Sequence, residues 1–153
     1  MLKKITVVGL SLALAASFTM PVLAATTAPA NTKTATIKAC NQAYAASIKT
    51  ANSDYKTASK AASDAYKTAV KTANQTFTAA IKAANDAYNA SPKADADKTA
   101  LKNAKTAAKT AFDSAIKTAK STRDAALKAA KDAMKAAKTK ANSTLKTCKA
   151  AAK

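Results

Sequence analysis

An all-α protein, built as one long antiparallel two-helix hairpin, is the fold this sequence predicts. Three observations predict it: an eleven-residue repeat carrying an apolar seam, a proline-centred break midway along the repeat, and two cysteines on opposite sides of that break.

The first 24 residues, MLKKITVVGLSLALAASFTMPVLA, stand apart from the rest. Lys3 and Lys4 precede an apolar run, and Val22-Leu23-Ala24 puts small residues where a signal peptidase reads. The run is shorter than the roughly 20 residues that a membrane-spanning helix needs, so residues 1–24 are expected to be a cleaved secretory signal. The product is then secreted, or held in a periplasm or cell envelope. Residues 25–33 form a polar leader.

The first helix is expected over 34–89. From position 44 the chain reads YAASIKTANSD, YKTASKAASDA, YKTAVKTANQT and FTAAIKAANDA, and Tyr88 opens the next repeat. Counting the aromatic residue as position one, apolar side chains fill positions one, four, five and eight, and lysine recurs at position six. Eleven residues make three turns of about 3.67 residues, which holds that stripe on one side of an α-helix. Alanine has the best helix propensity, and the chain's one glycine, Gly9, lies in the signal.

NASPKADADK interrupts the pattern with Pro92 where an isoleucine would fall. Proline lacks a backbone donor and clashes with the preceding turn, so the first helix ends near Asn89 and a turn occupies 90–95. Ser91 is a candidate cap for the second helix with Pro92 entering it, and Asp95 and Asp97 fall near the positive end of its dipole. The second helix is expected over 96–153. Its repeats LKNAKTAAKTA, FDSAIKTAKST, RDAALKAAKDA, MKAAKTKANST and LKTCKAAAK begin at Leu101, Phe112, Arg123, Met134 and Leu145.

A single register brings both arms into layers. When facing residues have numbers totalling about 189, Tyr44 meets Leu145, Tyr55 meets Met134, Tyr66 meets Arg123, Phe77 meets Phe112 and Tyr88 meets Leu101. The same register sets Ile48 over Ala141, Val70 over Ala119, Ile81 over Ala108, Ile116 over Ala73 and Leu127 over Ala62. Large side chains then meet small ones, as interdigitated helices require. Cys40 and Cys148 total 188 and both lie on the seam, so in an exported chain they are expected to form a disulfide across the hairpin's open end. Ser59, Lys105, Arg123 and Lys138 are polar intrusions on the seam, with Arg123 placed to lie over the Tyr66 ring. A hairpin buries only one stripe per helix. Stability is therefore expected to draw on the disulfide or on a second copy, two hairpins pairing into a four-helix bundle.

Composition sets limits on function. Removing Lys3 and Lys4 with the signal leaves 24 basic residues against 8 acidic ones, a net charge of +16, which favours solubility and attracts polyanions. All the acids are aspartate, and histidine is absent. Asp113 with Lys117 and Asp124 with Lys128 have the spacing of ordinary helix-surface pairs. Asp95 and Asp97 supply too few oxygens for a calcium loop. The tyrosine stripe lies on the seam, so packing accounts for it before any stacking on bases or sugars. The chain therefore reads as a non-enzyme with no catalytic residues, no metal site, no cofactor and no evident small-molecule substrate.

The lysines are the functional candidates. Lys38, Lys49, Lys60, Lys71 and Lys82 hold position six in the first arm, and Lys117 and Lys128 hold it in the second. They recur every three turns, roughly 16 Å along the axis, well away from the seam. Such lysines keep an alanine-rich rod soluble, or lay it along an anionic polymer or membrane surface.

The eleven-residue period resembles that of group 3 late-embryogenesis-abundant proteins and of alanine-rich type I antifreeze helices. The first family balances lysine with glutamate, which this chain lacks. The second presents a flat face of threonine and alanine, whereas Thr57, Thr68, Thr72, Thr110 and Thr118 keep no strict eleven-residue line, so neither resemblance assigns a functional residue. The leading expectation is an exported structural or interaction protein. A polyanion-binding module is the second, directed at acidic polysaccharide, nucleic acid or anionic membrane, and a stress protectant is the third.

Overall fold

A computed structural model describes residues 30–152, with side chains from residue 32 onward. The expected signal at 1–24 and most of the leader lie outside the described residues. Two helices account for nearly all of the rest: α1, Ala30–Asn89, and α2, Asp95–Ala151. They pack against each other along their length as an antiparallel hairpin. At 1.5 Å per residue each helix is about 85–90 Å long.

Helix α1 begins at Ala30, four residues before the expected start. No residue between Pro29 and the repeat opposes helix, and Thr36 Oγ1 returns a bond to the Thr32 carbonyl at 2.8 Å within these first turns. The break falls at the proline, but its chemistry differs from the expectation. Ser91 finishes α1 rather than capping α2: its Oγ donates to the Tyr88 carbonyl at 2.8 Å and accepts from the Lys93 N–H at 3.3 Å. Pro92 lies in the turn, outside both helices. Lys93 takes a left-handed backbone, φ 63°, and Ala94 is extended, φ −62° and ψ 168°, as an N-cap residue should be. Asp97 supplies the cap from inside α2, its carboxylate accepting the Ala94 N–H at 3.0 Å. Alanine has no side-chain oxygen to return the favour, so only half of a capping box is made.

Three contacts establish the register. The Phe77 and Phe112 rings lie 5.4 Å apart at 43°. The Arg123 guanidinium sits 4.5 Å from the centre of the Tyr66 ring. Cys40 and Cys148 are joined in a disulfide, with their Cα atoms 5.9 Å apart. Both aromatic pairs total 189 and the cysteines 188, so the arms are in one register from the open end to beyond the midpoint of the hairpin.

The core is a line of small residues. Cys40, Ala51, Ala62 and Ala73 of α1 and Ala130 and Ala141 of α2 are buried, and all hold position eight of their repeats. The larger side chains, such as Ile48, Val70, Ile116 and Leu127, are only half-buried. The reason is geometric. An alanine lets the facing helix come close and is covered by the larger residue opposite, whereas that larger residue extends past the contact line and meets water on its flank, there being no third layer. Lys138, opposite Ala51 in this register, is half-buried too, its aliphatic stem lying where a leucine would otherwise sit. Among the described residues, Ser59 Oγ is buried without a hydrogen-bond partner.

Candidate functional site

The helices set the expected lysines on their outer surface. Lys38, Lys49, Lys60, Lys71 and Lys82 of α1, and Lys117 and Lys128 of α2, are all exposed. They are not equivalent. Lys60, Lys82 and Lys128 donate to the aspartate one turn ahead: Asp64 at 2.5 Å, Asp86 at 2.6 Å and Asp132 at 2.8 Å. Among the described residues, Lys38, Lys49, Lys71 and Lys117 have no acid within ion-pair distance.

Electrostatics follow those bonds. The hydrogen bond to Asp64, and then the attraction of its charge, raises the Lys60 ammonium above its ordinary value. The same bond and charge lower the Asp64 carboxyl, with Lys67 adding to the effect. Lys128 is raised and Asp132 lowered in the same way. These groups are in full contact with water, which screens each pair and leaves it a minor contributor to stability.

Two expected pairs form with other partners. Asp113 binds Lys109 at 2.5 Å rather than Lys117. Asp124 accepts both Nε and Nη2 of Arg123 on its Oδ1, at 2.9 and 2.7 Å, and Lys128 bonds to Asp132, four residues on, as Lys60 and Lys82 do to their aspartates. The guanidinium of Arg123 is thereby held between the Tyr66 ring and the Asp124 carboxylate, its side chain 28 % exposed. Sequence placed the arginine over the ring. It did not place the carboxylate that orients it.

Lys117 and Lys128 are brought together with a residue that the repeat reading passed over. They line a shallow depression of about 540 Å³ on α2 with Lys120, Ser121, Asp124 and Ala125. Lys120 holds position nine rather than six, so a search for one recurring position missed it. What could have found it is helix geometry, because residues three and four apart share a surface.

At the turn, Asp95 and Asp97 do not converge on a common point. Asp95 Oδ1 accepts from Lys98 at 2.9 Å and Asp97 caps the helix. Among the described residues no group of three potential metal ligands gathers. Tyr44, Tyr55, Tyr66 and Tyr88 are half-buried along the seam. No family model, curated protein or solved structure matches the chain.

Proposed function

We propose that this protein is an exported, non-enzymatic structural or interaction element of the cell envelope or exterior: a rigid rod whose two arms are locked at the open end. The disulfide carries the reading. Cys40 and Cys148 lie 108 residues apart in sequence, on different helices, and their bond closes the whole hairpin. Such bonds persist in oxidising compartments, which agrees with the secretory signal read at 1–24. The side chains also suit a rod better than a catalyst. Asp64, Asp86, Asp113 and Asp132 are engaged one by one with neighbouring lysines at the surface, and the residues between the helices pack.

Binding of a polyanion is the second function that the surface supports. Lys38, Lys49, Lys71 and Lys117 are exposed and unneutralised, as a polyanion-binding surface needs.

Cell fractionation tests the first reading. The host's envelope and medium, alkylated before lysis and run without reductant, should contain the chain shortened by its signal, with Cys40 and Cys148 peptides joined. Full-length, reduced protein confined to the cytoplasm would refute it.

A further inference from the structure

We infer that the hairpin has two unlike broad sides, and that its lysine side lies flat on an anionic lipid bilayer. The inference rests on the polyanion reading of the lysines and adds the face and the partner.

The two sides follow from the repeat and the topology together. Because eleven residues complete three turns, each repeat position stays on its side of the seam along the entire helix. Measured from the centre of the seam in the helix's right-handed sense, position nine lies about 80° round, position two about 115° and position six about 150°. In the described body of α1 beyond the disulfide, lysine occupies only positions two and six, as at Lys49, Lys56 and Lys67. In α2 it occupies positions two, five, six and nine, as at Lys102, Lys117 and Lys120, with Lys140 the exception. The opposite flank, positions three, seven and eleven, carries mostly exposed alanine, threonine and serine, with Asn103 of α2 and the half-buried Asp54 of α1, while Asp113 and Asp124 sit at position two among the lysines of α2. Reversing one helix reverses its sense of rotation as seen from a fixed end. Flanks of like sense in an antiparallel pair therefore point the same way. The lysines of both arms share one broad side, and the threonines and alanines share the other.

That side selects among polyanions. It is two helices wide, about 20 Å. Charges act over a Debye length of about 8 Å at physiological salt, so a single linear polyanion lying along one arm leaves the lysines of the other out of range. A nucleic-acid duplex is wider, but its phosphates recede on a curved wall beneath the edges of the plate. The face also lacks the means to read bases or sugars. The aromatic rings are held in the seam, and Arg123 is engaged by Tyr66 and Asp124. Lysine is a flexible point charge that suits a diffuse anionic surface, whereas bidentate recognition needs arginine. Among the described residues Ile37 is the large apolar side chain that stands exposed, at 38 %, and neither helix is apolar enough to cross a membrane. The hairpin therefore rests on the headgroups without entering the hydrocarbon.

The test moves charge without removing it. Lys49→Gln, Lys71→Gln, Lys117→Gln and Lys120→Gln are combined with Thr50→Lys, Thr72→Lys, Thr118→Lys and Thr122→Lys. All eight positions are exposed, so net charge is unchanged and helix content should be held or raised. The oxidised protein as its host exports it is titrated with vesicles of phosphatidylcholine containing one-third phosphatidylglycerol, with pure phosphatidylcholine vesicles, with heparin and with duplex DNA, all near 150 mM salt. Each lysine beside an anionic leaflet strengthens binding roughly five-fold, so with four of them moved away the rearranged protein should bind the anionic vesicles about 600-fold more weakly than the original. Equal binding by both proteins would overturn the face and leave the polyanion reading standing. Tighter binding to heparin or DNA than to anionic vesicles would overturn the partner alone. Equal binding to neutral vesicles would show that charge is not the cause and overturn the proposal. Failure to bind any polyanion would remove the proposal together with the reading beneath it.

Discussion

Ala141 is 2 % exposed, the most enclosed of the alanines between the helices, because Ile48 lies opposite it in the observed register. A larger side chain there has no void to fill. Ala141→Leu should force the arms apart locally and destabilise the fold by about 1–3 kcal/mol, read from the midpoint of urea unfolding followed by circular dichroism. An unchanged midpoint would show that the seam is loosely packed. The exposed ion pairs give a second prediction. Asp64 and Asp132 titrate below their ordinary value when folded, so their contribution is complete above about pH 5 and is lost as pH falls through those lowered values. Lys60 and Lys128 are raised, so their contribution is complete below the unfolded ammonium value and lost as pH rises through the folded one. Melting temperature should therefore be flat from about pH 5 to 9 and fall below about pH 4, modestly and less so at high salt. A large drop between pH 5 and 7 would contradict this assignment, since no histidine is present to titrate there.

At the scale of elements, the two helices are uneven in how they are terminated. α2 has Asp95 and Asp97 in its first turn, and Asp97 bonds back to the Ala94 N–H, yet Ala94 offers nothing in return. Ala94→Ser would complete the capping box and should stabilise the protein by about 0.5–1 kcal/mol, seen as a higher urea midpoint at constant slope. No gain would mean that the turn holds its geometry independently of the cap. The existence, type and pairing of both helices were legible in the sequence, because the period of three turns in eleven residues leaves no other regular structure that keeps the apolar groups together. The chemistry of the turn was not. Ser91 has the composition of an N-cap, but Pro92 and the left-handed Lys93 carry the chain through a full reversal, and the new helix starts only at Asp95. Composition names residues suited to capping. The path of the chain decides which of them faces an orphan N–H.

For the whole molecule, the disulfide is the element that a thin seam most needs. Among the described residues no large side chain is fully buried, so apolar burial per residue is small there. Linking residues 108 apart removes a large loop from the unfolded ensemble, about 4–5 kcal/mol in the chain-entropy model. Replacing both cysteines with serine should lower stability by about 3–5 kcal/mol, measured as denaturant midpoint and melting temperature against the oxidised parent. A loss below about 1 kcal/mol would show that the packed seam suffices alone. Small-angle scattering of the oxidised protein should at the same time return a rod near 90 Å long, set by the longer arm.

Features that are periodic or local can be read from the order of residues alone. The repeat dictates helices, the proline ends the first of them, and the seam positions of the two arms match in one register, which Tyr66 with Arg123 and Phe77 with Phe112 occupy. Features that depend on one arm meeting the other exist only in the folded pair. Antiparallel packing turns the lysine flanks of both helices to the same side, while the repeat alone specifies only an angle about each separate axis. Likewise Asp124 bonds an arginine whose guanidinium lies over a ring of the opposite helix, rather than the Lys128 one turn on.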